Sequence, residues 1–297
     1  MLAYSASPTK ELFDNVLRIF SFLDDSTKNI DPKTVESFGE EWTTFQTFSK
    51  IEIEKIGADY FDLLPKNSSE FAALDVGCGS GRWAAYLANK VKFIEAIDPR
   101  STVFIAHNLA QKFNNIRVTH ASVNTIPFED NSFDLVYSLG FLHHVLNTDD
   151  AVFQCFKKVK NNGYFLLYLY YNLENRGKGY KLLFAISNVV RLVISQLPAT
   201  AKKILCDLLA ALFYWPLAKL NSVISLFSKS FAQKLPLSYY KKTSFFIMRN
   251  DALDRFGTPL EKRFSKKEIS ELLVSAGFIN IQFPENEPYW HVIAQKP

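Results

Sequence analysis

The sequence predicts an α/β fold with a mostly parallel sheet, and three observations carry that expectation. Short apolar runs alternate with helix-length segments between residues 71 and 170. A glycine turn, Gly77-Cys78-Gly79-Ser80-Gly81, joins the first run to the segment that follows it. The second run, Val91 to Asp98, ends on a carboxylate. Strands that alternate with helices are joined by crossovers, which lay the strands parallel and cover the sheet with helices.

The elements follow in order. Between Thr9 and Leu23 the residues Leu12, Phe13, Val16, Leu17 and Phe20 recur at helical spacing and predict an amphipathic helix. A polar stretch at Asp31-Pro32-Lys33 ends it, and a second helix is expected from Lys50 to Leu64. The core then reads strand 71–76, helix 81–89, strand 92–97, helix 101–113, strand 116–120, strand 133–138, helix 149–159 and strand 164–170, with Asn161-Asn162-Gly163 as the turn before the last. Ser265-Lys266-Lys267-Glu268 is a capping box and Gly277 the stop of a further helix. Ile279–Phe283 and Tyr289–Ala294 then form two final strands. The expected organisation is an N-terminal helical cover (1–65), a core (66–172 and 256–297) and an apolar helical insertion (173–255).

The glycine turn is where a backbone comes against a nucleotide-like ligand, because glycine has no Cβ and adopts positive φ. Its GxGxG spacing, with Arg82 next, differs from the GxGxxG dinucleotide fingerprint, whose last position needs a small residue for helix–strand packing. This disfavours a nicotinamide oxidoreductase. Asp98 ends the second strand, where an acid accepts both hydroxyls of a ribose. A third stretch, Asn124 to Ser138 running into Leu139-Gly140-Phe141-Leu142-His143-His144, reads as loop, buried strand and loop.

On these three motifs the chain resembles the class I S-adenosylmethionine-dependent methyltransferases, of the ubiquinone and menaquinone C-methyltransferase type, over residues 70–172 and more loosely over 265–297. The resemblance implies a Rossmann-like, seven-stranded, mostly parallel sheet with an antiparallel C-terminal hairpin, N-terminal helices and a helical insertion after strand five. It implies S-adenosyl-L-methionine as cofactor, bound by Asp75, Gly77, Cys78, Gly79, Gly81, Asp98, Pro99, Ser122, Val123, Ser138 and Leu139. Asp75 would lie beneath the sulfonium and amino acid portion. Ser122 stands where the family commonly has an acid for the adenine amino group, and gives only a weaker neutral hydrogen bond.

His143 and His144 are the adjacent titratable pair near the methyl-transfer point. They read either as a base that takes a hydroxyl proton or as a packed helix start. Tyr168, Tyr170 and Tyr171 alternate out of strand five at the carboxyl end of the sheet, where ligands bind, and are expected to face the acceptor. Trp42, with Phe38 and Phe45, either covers ligand or packs on the core. His107, His120 and His291 lack metal-ligand spacing, so no metal is expected.

Composition narrows the rest. A net charge of +4 with no basic stripe excludes a dedicated nucleic-acid binder. Cys78, Cys155 and Cys206 form neither a disulfide framework nor a metal motif and fit a reducing cytoplasm. The acidic N-terminal stretch (Glu11, Asp14, Asp24, Asp25) is unlike a secretory signal. Within the insertion, Leu182 to Ala201 holds one charge, Arg191, and Leu208 to Ala218 holds none. Arg191, Pro198 and the polar Ser187, Asn188, Ser195 and Gln196 argue against a membrane span. The expectation is a helical lobe that caps the active site as a substrate lid. The runner-up is an interfacial surface over 180–236, with Lys202, Lys203 and Lys219 snorkelling.

So apolar a lobe must bury itself on the core, a second copy, or a lipid-like acceptor. The leading reading is a methyltransferase acting on oxygen or carbon of a small molecule such as a sugar or polysaccharide precursor, a secondary metabolite or a lipophilic compound. The alternatives are a non-catalytic scaffold that binds the cofactor, and a nucleic-acid methyltransferase. The latter is disfavoured because Ser138-Leu139-Gly140-Phe141 replaces the Asn-Pro-Pro-Tyr-like motif.

Overall fold

The computed structural model describes residues 1–14, 17–23, 29–34, 50–174, 177–285 and 291–297. Phe38, Trp42 and Phe45 lie outside the described residues, as do Tyr289 and Trp290. The chain divides into two compact units, one holding the sheet and the other the described insertion residues 177–259.

The first unit is a nine-stranded sheet in the order β1-β2-β5-β4-β3-β6-β7-β9-β8. Its strands are β1 (Lys10–Asp14), β2 (Leu17–Ser21), β3 (Ala72–Val76), β4 (Phe93–Asp98), β5 (Ile116–His120), β6 (Phe133–Leu139), β7 (Val159–Tyr168), β8 (Ile279–Gln282) and β9 (His291–Gln295). From β2 to β7 neighbours run parallel, whereas β9 pairs antiparallel to β7 and β8 to β9. Side chains alternate across the pleat. Leu74, Val76, Ile97 and Val136 therefore join one core, with Ile269 and Leu273 of helix Lys266–Ala276. Ala73, Ile94, Ala96 and Leu135 join the other, with Trp83 and Ala84 of helix Arg82–Leu87 and Val103 and Ala106 of helix Val103–Ala110. Ser265 and Glu268 form the expected capping box, and Gly277 ends that helix with φ 106°.

Two expectations are corrected. The segment Thr9–Leu23 is not a helix: β1 and β2 form an antiparallel hairpin, with Leu12 opposite Ile19. It extends the sheet through Ser21 beside His120 of β5, and Phe22 N donates to the His120 carbonyl at 2.8 Å. Short apolar runs fit either period. Pairing to an open strand edge, with Ile19 1% exposed, decides for strand. Among the described residues the sheet consequently has nine strands rather than seven. Asn161-Asn162-Gly163 lies inside β7 as a bulge, with Asn162 at φ 62° and the register shifting between Phe133 and Leu135. The helix from Lys50 is present as Lys50–Tyr60.

The second unit is helical: Lys178–Ile194, a continuous run from Ala199 to Phe227, and Phe245–Gly257 around a small core. The long run widens into a π turn at Ala210–Tyr214, just before Pro216. A proline has no N–H and its ring crowds the carbonyl four residues back, and the wider turn absorbs both.

Candidate active site

The carboxyl ends of β3, β4 and β6 and the first residues after β7 assemble the site. Strand β3 leaves the sheet at Val76 and enters the glycine turn, where Gly77, Gly79 and Gly81 have φ of 80°, 55° and 80°. Two of these positions leave little room for a side chain. A Cβ on Gly77 would stand 2.1 Å from the Phe141 ring, and one on Gly81 3.1 Å from the backbone of Ala106. The turn is held by Gly77 N and Cys78 N donating to the Ile97 carbonyl at 2.9 and 3.0 Å. Cys78 is buried, which pushes its thiol up.

Asp75 and Asp98 end the first two strands of this ridge and differ completely in their surroundings. Asp98, 0% exposed, accepts from Gly79 N (2.8 Å), Arg100 N (2.9 Å) and Arg100 Nε (2.6 Å), and is ion-paired to Arg100 Nη2. Asp75 is also buried, yet its Oδ2 has no hydrogen-bond partner. Tyr137 lies opposite it in the β3–β6 register. Its hydroxyl is near enough to lower the carboxyl pKa, although neither Tyr137 Oη nor Asp75 Oδ2 completes a hydrogen bond. Burial dominates and raises the Asp75 carboxyl to about 8, with Asp98 adding to the rise. A buried carboxyl with an unused oxygen fits a ligand that brings a positive charge.

Strand β6 ends at Leu139, with Ser138 Oγ donating to the Val76 carbonyl at 2.8 Å. Gly140 follows with φ 77°, and a Cβ there would meet nothing within 4 Å. The chain then makes the single turn Leu142–His144. His143 is fully buried, and both of its ring nitrogens lack hydrogen-bond partners. It stacks on Tyr170 and lies against His144, with ring centroids 3.9 Å apart in each case. His144 Nδ1 donates to the Leu260 carbonyl at 2.6 Å. Burial holds the His143 pKa well below the ordinary value, and His144 at about 4. Both rings are therefore neutral at neutral pH.

Tyr168 reaches the same cluster through Tyr170, centroids 6.0 Å apart, and packs on Tyr60. Tyr171 pairs with Phe264 in a β-bridge and both pack on the core. Pro99 is buried and its carbonyl accepts from His120 Nε2 at 3.0 Å. Ser122 spends its hydroxyl on its own loop, bonding Thr125 Oγ1 at 3.1 Å and accepting from Asn124 N at 3.2 Å, and Val123 is core.

Sequence reasoning missed Arg100, Tyr137, Phe141 and Arg263. Arg100 stands two residues after Asp98, so a basic residue within reach of that acid was the available signal. Tyr137 meets Asp75 only through strand register. Arg263, whose guanidinium lies 5.1 Å from the Tyr170 ring centre, arrives from 93 residues further along the chain, through the Tyr171–Phe264 bridge.

Residues 74–167 match the family model described as "Methyltransferase domain". The ubiquinone biosynthesis O-methyltransferase of Rickettsia prowazekii (strain Madrid E) is 34% identical over 113 residues, 37% of this chain and 42% of that protein. The uncharacterized methyltransferase YcgJ of Bacillus subtilis (strain 168) is 29% identical over 110 residues, 36% of this chain and 44% of that protein. The chain thus spans under half the length of these curated relatives. Among solved structures, a SAM dependent methyltransferase from Aquifex aeolicus aligns with a TM-score of 0.44 at 16% identity, covering 84% of this chain and 98% of that one.

Proposed function

We propose that this chain, whose residues 74–167 are a class I S-adenosylmethionine-dependent methyltransferase domain, transfers a methyl group to oxygen or carbon of a small-molecule acceptor. The observation that carries the reading is the Asp75 carboxyl, buried with an unused oxygen beside a turn of three positive-φ glycines. S-adenosyl-L-methionine, when bound, supplies a methyl group on a positively charged sulfur. Asp75 answers the cationic amino acid portion of that molecule. The glycine turn lets the backbone lie close to it. Asp98 accepts the ribose hydroxyls, which requires the Arg100 side chain to yield its place while the Gly79 and Arg100 N–H bonds stay.

The chain's own residues then position the acceptor. Well-oriented reactants save roughly 7–11 kcal/mol of barrier, so holding them in line is the principal task. Tyr168 and Tyr170 offer ring faces to an apolar or hydroxyl-bearing acceptor. His143 accepts the acceptor's hydroxyl proton at an unpartnered ring nitrogen. Burial keeps both rings neutral throughout the neutral range and also weakens them as bases, so a proton taken by His143 must be passed on as the methyl group is transferred.

The alternative is a non-catalytic scaffold that binds the cofactor without transferring its methyl group. Incubating the chain with labelled S-adenosylmethionine and a small-molecule extract, then looking for a methylated product by mass, separates the two readings. Label in a small molecule supports the enzyme. Cofactor binding without any methylated product leaves the scaffold.

A further inference from the structure

Helix Lys178–Ile194 is inverted in polarity. Arg191 is buried and donates to the Thr258 and Pro259 carbonyls at 2.9 and 2.8 Å, with its Nε on Asn188. Ser187 and Asn188 share that inner side, whereas Leu182, Ile186, Val189 and Val193 stand outward, each more than half exposed. The run Ala199–Phe227 adds to this surface. Its Cys206, Ala210, Tyr214 and Ala218 pack in the unit's core against Met248, Ala252, Leu253 and Phe256. Leu208, Leu212, Leu220, Val223 and Leu226 face out, Leu226 at 82% exposure. An amphipathic helix in water turns its apolar stripe inward. Apolar side chains exposed to this extent on both helices mark a binding face.

Charge says what the face meets. Residues 175–259 carry 13 Lys and Arg against 3 Asp and Glu, a net +10, while the whole chain is only +4. Asp207, the single acid between 175 and 242, is taken by a bidentate pair with Arg249 at 2.7 Å. Lys178, Lys181, Lys203 and Lys219 are exposed along the apolar face, and Lys219 stands 5.9 Å from the ring centre of Trp215. Apolar side chains with basic residues and an indole beside them are the composition of an element that lies in a lipid interface.

We infer that the outward face of the 177–242 helices docks on a membrane surface that carries anionic headgroups, lying in the interface. The run Ala199–Phe227 has the length and composition of a span, 29 residues that contain an 18-residue window of mean hydropathy 1.3. Its other side, however, is committed to the unit's own core and includes the buried Lys202 and Asn221. Only one side is thus available to lipid, as an interfacial helix requires. This docking goes beyond the methyl-transfer reading and its test needs no cofactor.

The test is co-sedimentation of the full chain with sucrose-loaded vesicles of phosphatidylcholine, with and without about one third phosphatidylglycerol. Each basic residue near an anionic surface adds about fivefold to binding. The expectation is therefore at least tenfold tighter binding to the anionic vesicles, weakened by high salt. Val189→Glu with Leu212→Glu and Leu226→Glu should lower that binding at least tenfold with an unchanged thermal midpoint. Val274→Glu, an exposed apolar site on the other unit, should leave binding as in wild type. Equal binding to both vesicle types, no binding to either, or an unaltered triple variant would overturn the inference. So would a dimer in sizing runs that the triple variant dissolves while vesicles stay unbound, because the face would then belong to a second copy.

Discussion

Asp75 and Asp98 close neighbouring parallel strands, are both buried, and live under opposite conditions. Asp98 is surrounded by donors from Gly79 and Arg100. Asp75 keeps an oxygen with no hydrogen-bond partner, and its carboxyl is raised to about 8. The strand end provides the carboxylate, but a residue two positions on, Arg100, decides whether it is satisfied. The satisfied acid builds the turn and must give up its guanidinium to take a ligand, whereas the one left wanting a charge is open to a cation at once. His143 stands to His144 as Asp75 stands to Asp98. One ring has two nitrogens without hydrogen-bond partners, and the other is anchored on Leu260.

The largest effect should come from breaking the satisfied member. Arg100→Ala leaves Asp98 buried without its guanidinium and is expected to cost about 3–5 kcal/mol of stability, read by urea unfolding. Affinity for S-adenosylhomocysteine should hold or rise, since Asp98 is released to the ribose. A stability loss under about 1 kcal/mol would mean that the two backbone N–H groups suffice. A parallel loss of affinity would put the ribose elsewhere.

Next comes the unpartnered histidine. His143→Gln is expected to lower turnover about a hundredfold with little change in cofactor affinity. The acid limb of turnover in the wild type should lie well below the ordinary histidine range, because burial lowers both rings. Unchanged turnover in the variant would return His143 to simple packing.

Asp75→Asn sharpens the contrast further, because its two effects have opposite signs. In the folded chain the carboxyl keeps its proton up to about 8. In the unfolded chain it loses that proton near 4. Between those values the native state binds more protons, so wild-type stability falls as pH rises. The Asn variant lacks this penalty, and its thermal midpoint should exceed that of wild type by a margin that grows up to about pH 8. Cofactor affinity should drop by roughly 1.5–3 kcal/mol with loss of the charge-assisted contact. A variant less stable than wild type at pH 8 would show the carboxylate to be satisfied after all.

The smallest effect concerns the turn that joins the two acids. Gly77→Ala forces a Cβ into the Phe141 ring at positive φ, with a cost of about 1–3 kcal/mol for the overlap. A wild-type midpoint would mean that Phe141 moves aside freely.

The strands of the ridge and their acids were legible because local pattern alone fixes them: an apolar run, a glycine turn, a terminal carboxylate. The N-terminal hairpin was not, since Leu12, Phe13, Leu17 and Phe20 satisfy helical spacing as well as pairing, and only the open edge of β5 settles the matter. In the site, Asp98 and the histidine pair could be named from their positions in the sequence, and Asp75 through the family resemblance. What distinguishes them could not, because it depends on parallel register for Tyr137 and on a distant crossing for Leu260 and Arg263. Periodicity likewise announced the insertion's helices without saying which side faces out, and the buried Arg191 turned that side around.

The most direct measurement is a calorimetric titration of S-adenosylmethionine into the full chain at about pH 6 and about pH 9. If Asp75 must ionise to receive the cation, affinity should be at least tenfold greater at the higher pH, with protons released on binding at the lower one, and the Asp75→Asn variant should show neither. Absence of binding, or equal affinity at both pH values in the wild type, would contradict the account.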